Sequence, residues 1–131
     1  MKYKYNDGGR MKYFRASNVS DCVTRAIAIA THRDYKDVYD SIKKIVGYTP
    51  RNGVANKDTE KVMLACGGVW HACTSIGSGC KIHLEDNEIP MKGSVVCKLS
   101  KHVVAVVDGV INDTYDPSRD GNRCVYGYWT F

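Results

Sequence analysis

The chain has 131 residues, which corresponds to one domain and is long enough to bury a hydrophobic core without an obligatory metal or disulfide. Hydrophobic residues make up 44% of the sequence and charged residues 25%, as in ordinary globular proteins, and no apolar run reaches the roughly 18 residues that a membrane helix needs. The net charge is +5, but the lysines and arginines are scattered, so we expect neither nucleic acid nor a membrane as the partner.

The six cysteines are expected to be separate thiols. The N-terminal residues are basic but lack the apolar core of a secretory signal, which favours a cytoplasmic protein with reduced thiols. Cys66, Cys73 and Cys80 are evenly spaced, and His71 and His83 lie nearby, but the short Cys-x-x-Cys knuckle of structural zinc sites is missing. The sequence therefore predicts no metal and no other cofactor.

Three helices are predicted in the first half of the chain, after an extended arm or edge strand at residues 1–15. Ser20 and Asp21 precede an apolar run that starts at Cys22, and such polar residues commonly cap a helix. Apolar residues then recur at the spacing of one buried helix face, namely at Val23, Ala26, Ile27 and Ala30.

The second predicted helix runs from the cap Asp34 to Gly47, because glycine commonly ends helices. Its apolar positions repeat at helical spacing and are Tyr35, Val38, Tyr39, Ile42 and Ile45. A third and weaker helix is predicted from about Asn56 to Cys66.

The second half of the chain has the pattern of strands and turns. Segments rich in valine, isoleucine and aromatic residues predict strands at residues 69–73, 94–99, 102–107, 110–115 and 124–129. The dipeptide Asp108-Gly109 predicts a hairpin turn. We therefore expect a single α+β domain over residues 1–131, with N-terminal helices packed on a C-terminal antiparallel sheet.

Cys22 is the candidate nucleophile, because it is the only cysteine at a predicted helix start. A catalytic cysteine attacks as the thiolate, which requires a lowered pKa. The partial positive charge of a helix N-terminus and a neighbouring imidazolium both lower the pKa of a thiol. Cys66 lies near a helix end instead, where the dipole has the opposite sign.

His102 is the candidate base, since it begins an apolar strand, and a third polar group should orient it. A two-residue turn in the predicted hairpin puts His102 on the same face as Asp113. A three-residue turn with a bulge puts it instead on the face of Asn112, Thr114 and Asp116. The strand pattern alone leaves both registers open.

Three segments together resemble papain-like cysteine peptidases: Asp21-Cys22 opening an alanine-rich helix, His102 starting a valine-rich strand, and Asp116-Pro117 ending the next strand. The resemblance is closest to the bacteriocin-leader peptidase domains of ABC exporters, and the chain also resembles small uncharacterised phage proteins. It implies a papain-like fold in which Cys22 is the nucleophile on the central helix, His102 the base and Asp116 the group that orients the base. The implied function is a cysteine peptidase, amidase or isopeptidase that forms an acyl-enzyme on a protein or peptide substrate, in the host cytoplasm if the chain is phage-encoded.

One position departs from the pattern of these relatives. They carry a glutamine ahead of the cysteine as a donor to the oxyanion, and this chain has Ala16 there. The amide of Asn18 is the favoured replacement, together with the backbone N–H of Cys22, and Ser17 and Ser20 are alternatives. The departure leaves a second hypothesis, a catalytically inactive papain-like scaffold that binds protein. A basic nucleic-acid binder is the third, and the sequence does not define an oligomeric state.

Overall fold

A mixed β-sheet with helices packed on it forms the body of the chain. In the computed structural model, which describes residues 1–15, 20–74 and 77–131, the sheet has six strands and three α-helices accompany it. The strands are β1 (Lys2–Tyr5), β2 (Val69–Ala72), β3 (Ser94–Leu99), β4 (His102–Val107), β5 (Val110–Asp113) and β6 (Gly127–Thr130). The helices are α1 (Cys22–Thr31), α2 (Tyr35–Val46) and α3 (Asn56–Ala65). The predicted α+β class is confirmed.

The strands lie in the order β1-β5-β4-β3-β6-β2, and β1 makes the sheet mixed rather than antiparallel. It runs parallel to β5, with Tyr3 opposite Ile111, whereas the other neighbouring strands are antiparallel. The prediction of an antiparallel C-terminal sheet is therefore corrected, since a strand from the N-terminal arm covers the edge of β5. This pairing satisfies backbone N–H and C=O groups that an open edge would leave without partners.

The last strand starts later than its sequence pattern predicts. The pattern covers residues 124–129, but β6 is Gly127–Thr130. Cys124 forms an isolated bridge with His83, and the N–H of Val125 donates to the carbonyl of Ile82 at 2.8 Å. Cys124 and Val125 therefore pair with the segment around His83 and stand apart from β6.

A disulfide joins Cys80 and Cys124, so the expectation of six separate thiols is wrong. The two cysteines are 44 residues apart in sequence and meet because the bridge at His83 brings their segments together. The free thiols are Cys22, Cys66, Cys73 and Cys97.

The helices follow their predicted bounds closely. α1 packs between α2 and the sheet and is buried from residue 23 to residue 30, as its alanine-rich sequence predicts. α2 begins after the cap Asp34, whose carboxylate accepts hydrogen bonds from the N–H groups of Lys36 and Asp37, and ends at Gly47 with φ 84°. Within the described ranges, no helix combines the length and apolar character required to cross a lipid bilayer.

Hydrophobic residues cover both faces of the central strands, whereas the edge strands β1 and β2 are exposed. On the helix side, Val96, Ala105 and Trp129 pack with the buried residues of α1 and α2. On the other side, β3 and β4 pack against Leu84 and Val125 from the connecting segments. The middles of β3 and β4 are therefore buried on both faces, and α1 packs against β4.

Candidate active site

Cys22 is the first residue of α1, as predicted, and its thiol lies beside the ring of His102. The thiol and the imidazole are close enough to shift each other's pKa, and Cys22, His102 and Val103 line the same small cavity. The first N–H groups of a helix have no partner within the helix and carry partial positive charge. The thiol therefore lies in surroundings that favour its anionic form.

His102 is the first residue of β4 and contacts Asp113, the last residue of β5, through Nε2 and Oδ2 at 2.7 Å. With Nε2 on the carboxylate, Nδ1 is the ring nitrogen that remains for Cys22. This arrangement results from the tighter of the two registers that the sequence left open. Val107 pairs with Val110 across a two-residue turn, which puts His102 and Asp113 on one face of the hairpin.

Asp116, which the resemblance assigned as the orienting group, does not contact His102. Its side chain is exposed after the end of β5, and its Oδ1 accepts a hydrogen bond of 3.0 Å from the N–H of Ser118. The ring that lies next to His102 on that side belongs to Tyr115, at a centroid separation of 5.3 Å. The structure therefore places Asp113, and not Asp116, against the imidazole.

The surroundings of these three groups favour a thiolate and an imidazolium. Burial raises the pKa of Cys22, but the neighbouring His102 outweighs it, and the pKa of the thiol lies below its ordinary value of 9.0. Burial lowers the pKa of His102, but the hydrogen bond to Asp113 and the neighbouring thiol of Cys22 raise it to about 9. Burial raises the pKa of Asp113, but His102, the N–H of Thr114 and Arg25 together lower it below 3.8, so the carboxylate is ionised at neutral pH.

Arg25 lies one turn along α1 from Cys22 and forms ion pairs with two carboxylates near the site. Its guanidinium donates to Oδ1 of Asp113 at 2.9 Å and also pairs with the carboxylate of Asp21. All three charged groups are buried. The residue was not singled out in the sequence, although an arginine on an otherwise apolar helix, four residues after an aspartate, is a sign of a buried ion pair.

Asp21 occupies the cap position of α1 but does not cap the helix with its side chain. Its carboxylate turns inward, where Arg10 donates to it at 3.2 Å and the hydroxyl of Tyr35 at 2.6 Å, in addition to Arg25. Burial and this hydrogen bond raise the pKa of Tyr35, so its hydroxyl stays a donor. Gly8 lets the N-terminal arm pass close to α1, which brings Arg10 to Asp21. A Cβ atom at residue 8 would lie 3.3 Å from the backbone of Arg25, and the φ of Gly8 is 70°.

A cavity of about 60 Å³ opens beside Cys22 and His102. Asn56 of α3 and Lys98 of β3 line it, and both residues also line a neighbouring hollow of about 190 Å³. A third hollow, of about 460 Å³, shares Lys98 and the exposed Trp70 of β2 with the second. Lys98 lines all three hollows, and together they are called the groove below.

The predicted oxyanion donor Asn18 and the departure at Ala16 lie outside the described residues, as does Ser17. Ser20 is described and is exposed just before α1. The backbone N–H of Cys22 belongs to the first turn of the helix, where such groups are available to a ligand.

The evenly spaced cysteines Cys66, Cys73 and Cys80 lie in different parts of the fold. Cys66 follows α3, Cys73 follows β2, and burial raises the pKa of both thiols. Cys80 is the member of this series that meets a histidine, since its Sγ lies 3.4 Å from Nε2 of His83.

No protein-family model, curated protein or solved structure matches the chain.

Proposed function

We propose that the protein is a thiol hydrolase, a cysteine peptidase or amidase, in which Cys22 is the nucleophile, His102 the acid and base, and Asp113 the residue that orients the histidine. The observation that carries this proposal is the chain of contacts from the thiol of Cys22 through the imidazole to the carboxylate, with Nε2 and Oδ2 at 2.7 Å. A nucleophile, a base and a third group in hydrogen-bond reach of one another are the recurring arrangement of covalent catalysis. The nucleophile at the start of a buried helix that packs on a sheet also supports a papain-like arrangement.

The proposed reaction starts with attack of the Cys22 thiolate on the carbonyl carbon of an amide. The new C–S bond forms while the electron pair of the C=O bond moves to the oxygen, which becomes an oxyanion. The backbone N–H of Cys22 and a side-chain amide stabilise this charge. When the C–N bond breaks, the His102 imidazolium gives its proton to the leaving amine, and a thioester remains on Cys22.

Water then resolves the thioester. The neutral His102 takes a proton from the water as the oxygen attacks the thioester carbon, and the C–S bond breaks to return the thiolate and release a carboxylic acid. Asp113 accepts from Nε2 throughout, which keeps Nδ1 directed at the sulfur and stabilises the imidazolium. Arg25 keeps Asp113 ionised and in place.

The groove supports a protein or peptide as the substrate. The cavity at Cys22 is too small for a bulky side chain, but Lys98 connects it to two larger hollows that Trp70 lines. An extended chain with a small residue at the reacting carbonyl fits such a series of hollows. The cations Lys98 and Lys101 beside the thiol favour acidic groups on that chain.

Reaction with a small activated ester tests the chemistry without knowledge of the substrate. We expect an excess of p-nitrophenyl acetate to release one equivalent of nitrophenol rapidly, to leave an acetyl group on Cys22 that intact-mass and peptide mass spectrometry detect, and then to turn over slowly. Cys22→Ser should lose both phases, whereas Cys66→Ser should retain them. Acetylation spread evenly over the free cysteines would contradict the proposal.

The second candidate function is a binding module with an inactive site, which the Ala16 in place of a glutamine favours. This module would acetylate at Cys22, because its thiol would still be activated, but it would not release the acetyl group faster than a thioester in water. The turnover phase of the ester experiment therefore separates the two candidates.

A further inference from the structure

The segment that carries the disulfide holds a second cluster of reactive side chains, separate from Cys22, His102 and Asp113. Cys80, His83 and Cys124 each offer one ligand atom, and these atoms lie within 4.8 Å of one another. Nε2 of His83 is 3.4 Å from Sγ of Cys80, which is bonded to Cys124. Two thiol sulfurs and an imidazole nitrogen are ligands that zinc prefers in proteins.

The backbone holds this cluster in place. His83 and Cys124 face each other across an antiparallel bridge, and the N–H of Leu84 donates to the carbonyl of Arg123 at 2.8 Å. The side chain of Leu84 is fully buried under the sheet, which anchors the bridge. Cys80 precedes His83 by three residues, so the pair has the short Cys-x-x-His spacing of zinc ligands that come from one loop.

Glu88 favours the tautomer of His83 that binds a metal through Nε2. Its Oε2 lies 3.1 Å from Nδ1 of His83 and also accepts from the backbone N–H of the same residue. A carboxylate on Nδ1 holds the proton there, which leaves the lone pair of Nε2 directed at the sulfurs. Metal-binding histidines are commonly oriented by such a carboxylate.

We propose that this cluster is a redox-dependent zinc site, in which Cys80, Cys124 and His83 bind one Zn²⁺ once the disulfide is reduced. Two thiols of a reductant supply two electrons and two protons to the S–S bond and become a disulfide themselves. The two cysteine thiols then lose their protons to solvent as the thiolates bind the metal. Water occupies the fourth position of the tetrahedron.

The geometry permits both states with little movement of the backbone. The Cα atoms of Cys80 and Cys124 are 5.7 Å apart. Thiolates on a tetrahedral zinc lie roughly 3.8 Å from each other, given Zn–S bonds of ~2.3 Å. Rotation of the two side chains separates the sulfurs to this distance once their bond is broken, and the bridge at His83 stays intact.

Cobalt binding to the reduced chain tests the site, because Co²⁺ takes tetrahedral thiolate sites and reports them through a thiolate charge-transfer band. All variants should carry Cys22→Ser, so that the thiol of the other cluster does not bind metal. We expect the reduced Cys22→Ser reference to bind one equivalent of Co²⁺, to exchange it for Zn²⁺ with loss of the band, and to bind none before reduction. Cys80→Ser, Cys124→Ser and His83→Ala should each weaken binding at least tenfold.

Three further variants separate the site from general thiol binding. Cys66→Ser and Cys73→Ser should bind cobalt like the reference, and Glu88→Gln should weaken binding by roughly 10-fold to 100-fold. The disulfide is already reduced in the reference, so a cysteine variant does not lose a cross-link that the reference has. Circular dichroism of each reduced protein shows whether it is folded like the reference. A reduced reference that binds no cobalt, folded or unfolded, would overturn the proposal, as would undiminished binding by both Cys80→Ser and Cys124→Ser.

Discussion

Arg25 donates a hydrogen bond of 2.9 Å to Asp113, the carboxylate whose other oxygen contacts His102. The same guanidinium pairs with Asp21, the residue directly before Cys22. One buried cation thus connects the position that precedes the nucleophile with the group that orients the base. We infer that it fixes the distance between α1 and the β4–β5 hairpin, on which the contact of thiol and imidazole depends.

Replacing Arg25 with methionine should destabilise the fold strongly. The substitution keeps the approximate length of the side chain but removes the cation that Asp21 and Asp113 share, which leaves Asp21 with Arg10 and Asp113 with His102. Breaking a buried pair in this way costs about 3–5 kcal/mol of unfolding free energy. Urea unfolding followed by circular dichroism measures the change. Arg33→Met is the matched control, since Arg33 is exposed, and it should change stability by no more than ~0.5 kcal/mol. A loss below ~1 kcal/mol for Arg25→Met would show that the network is not needed for folding.

Asp113→Asn should reduce the rate of ester or peptide hydrolysis by roughly 10²-fold to 10⁴-fold, while Asp116→Asn should leave it close to that of the unaltered chain. An amide at residue 113 no longer accepts strongly from Nε2, so the imidazole loses its orientation and its stabilised cation. The carboxylate of Asp116 accepts instead from the N–H of Ser118. Steady-state kinetics on both variants, with circular dichroism to confirm folding, gives the comparison, and the reverse order of effects would restore Asp116 as the orienting residue.

The sequence predicts the elements with strong local patterns. The start of α1 at Cys22, the cap of α2 at Asp34 and the strands β3 and β4 all follow from periodic apolar residues with clear end signals. Local patterns were sufficient there because each of these elements is stabilised by neighbours in the chain or by burial of one complete face.

Features that depend on distant residues could not be predicted in the same way. The parallel pairing of β1 with β5 and the Cys80–Cys124 disulfide join segments far apart in sequence, and no spacing signals either. The choice between Asp113 and Asp116 depended on one residue of hairpin register. The conformation of the turn decides it, with φ 48° at Asp108, and a strand pattern with period two does not contain that information.

The alkylation rate of Cys22 should stay high at neutral pH and fall only when the pH drops through the lowered pKa of its thiol. The pKa of the thiol lies below 9.0 and that of His102 is about 9, so between these values the site holds thiolate and imidazolium. As the pH falls through the pKa of Cys22, the thiolate is protonated and labelling by iodoacetamide slows. At neutral pH we expect Cys22 to react much faster than Cys66 and Cys73, because burial raises the pKa of those thiols.

His102→Gln should move this profile to higher pH. Without the imidazolium, burial of the sulfur dominates, so the pKa of Cys22 rises and its labelling at neutral pH slows by tenfold or more. Hydrolysis by the unaltered chain should also fall as the pH rises through about 9, since His102 then lacks the proton for the leaving amine. Rates from mass spectrometry at a series of pH values test both statements, and an unchanged Cys22 profile in His102→Gln would contradict the ion pair.

Asn18→Ala should lower kcat by about 10²-fold to 10³-fold, with a smaller effect on KM, if its amide donates to the oxyanion as the sequence predicts. The charge on this oxygen develops only as the thiolate attacks, so a donor that meets it stabilises the transition state more than the bound substrate. Asn56→Ala is the matched comparison, because Asn56 carries the same amide and lines the cavity at Cys22 from α3. A large loss of kcat in Asn56→Ala with little change in Asn18→Ala would assign the donor to α3 and show that the helix opposite the thiol replaces the missing glutamine.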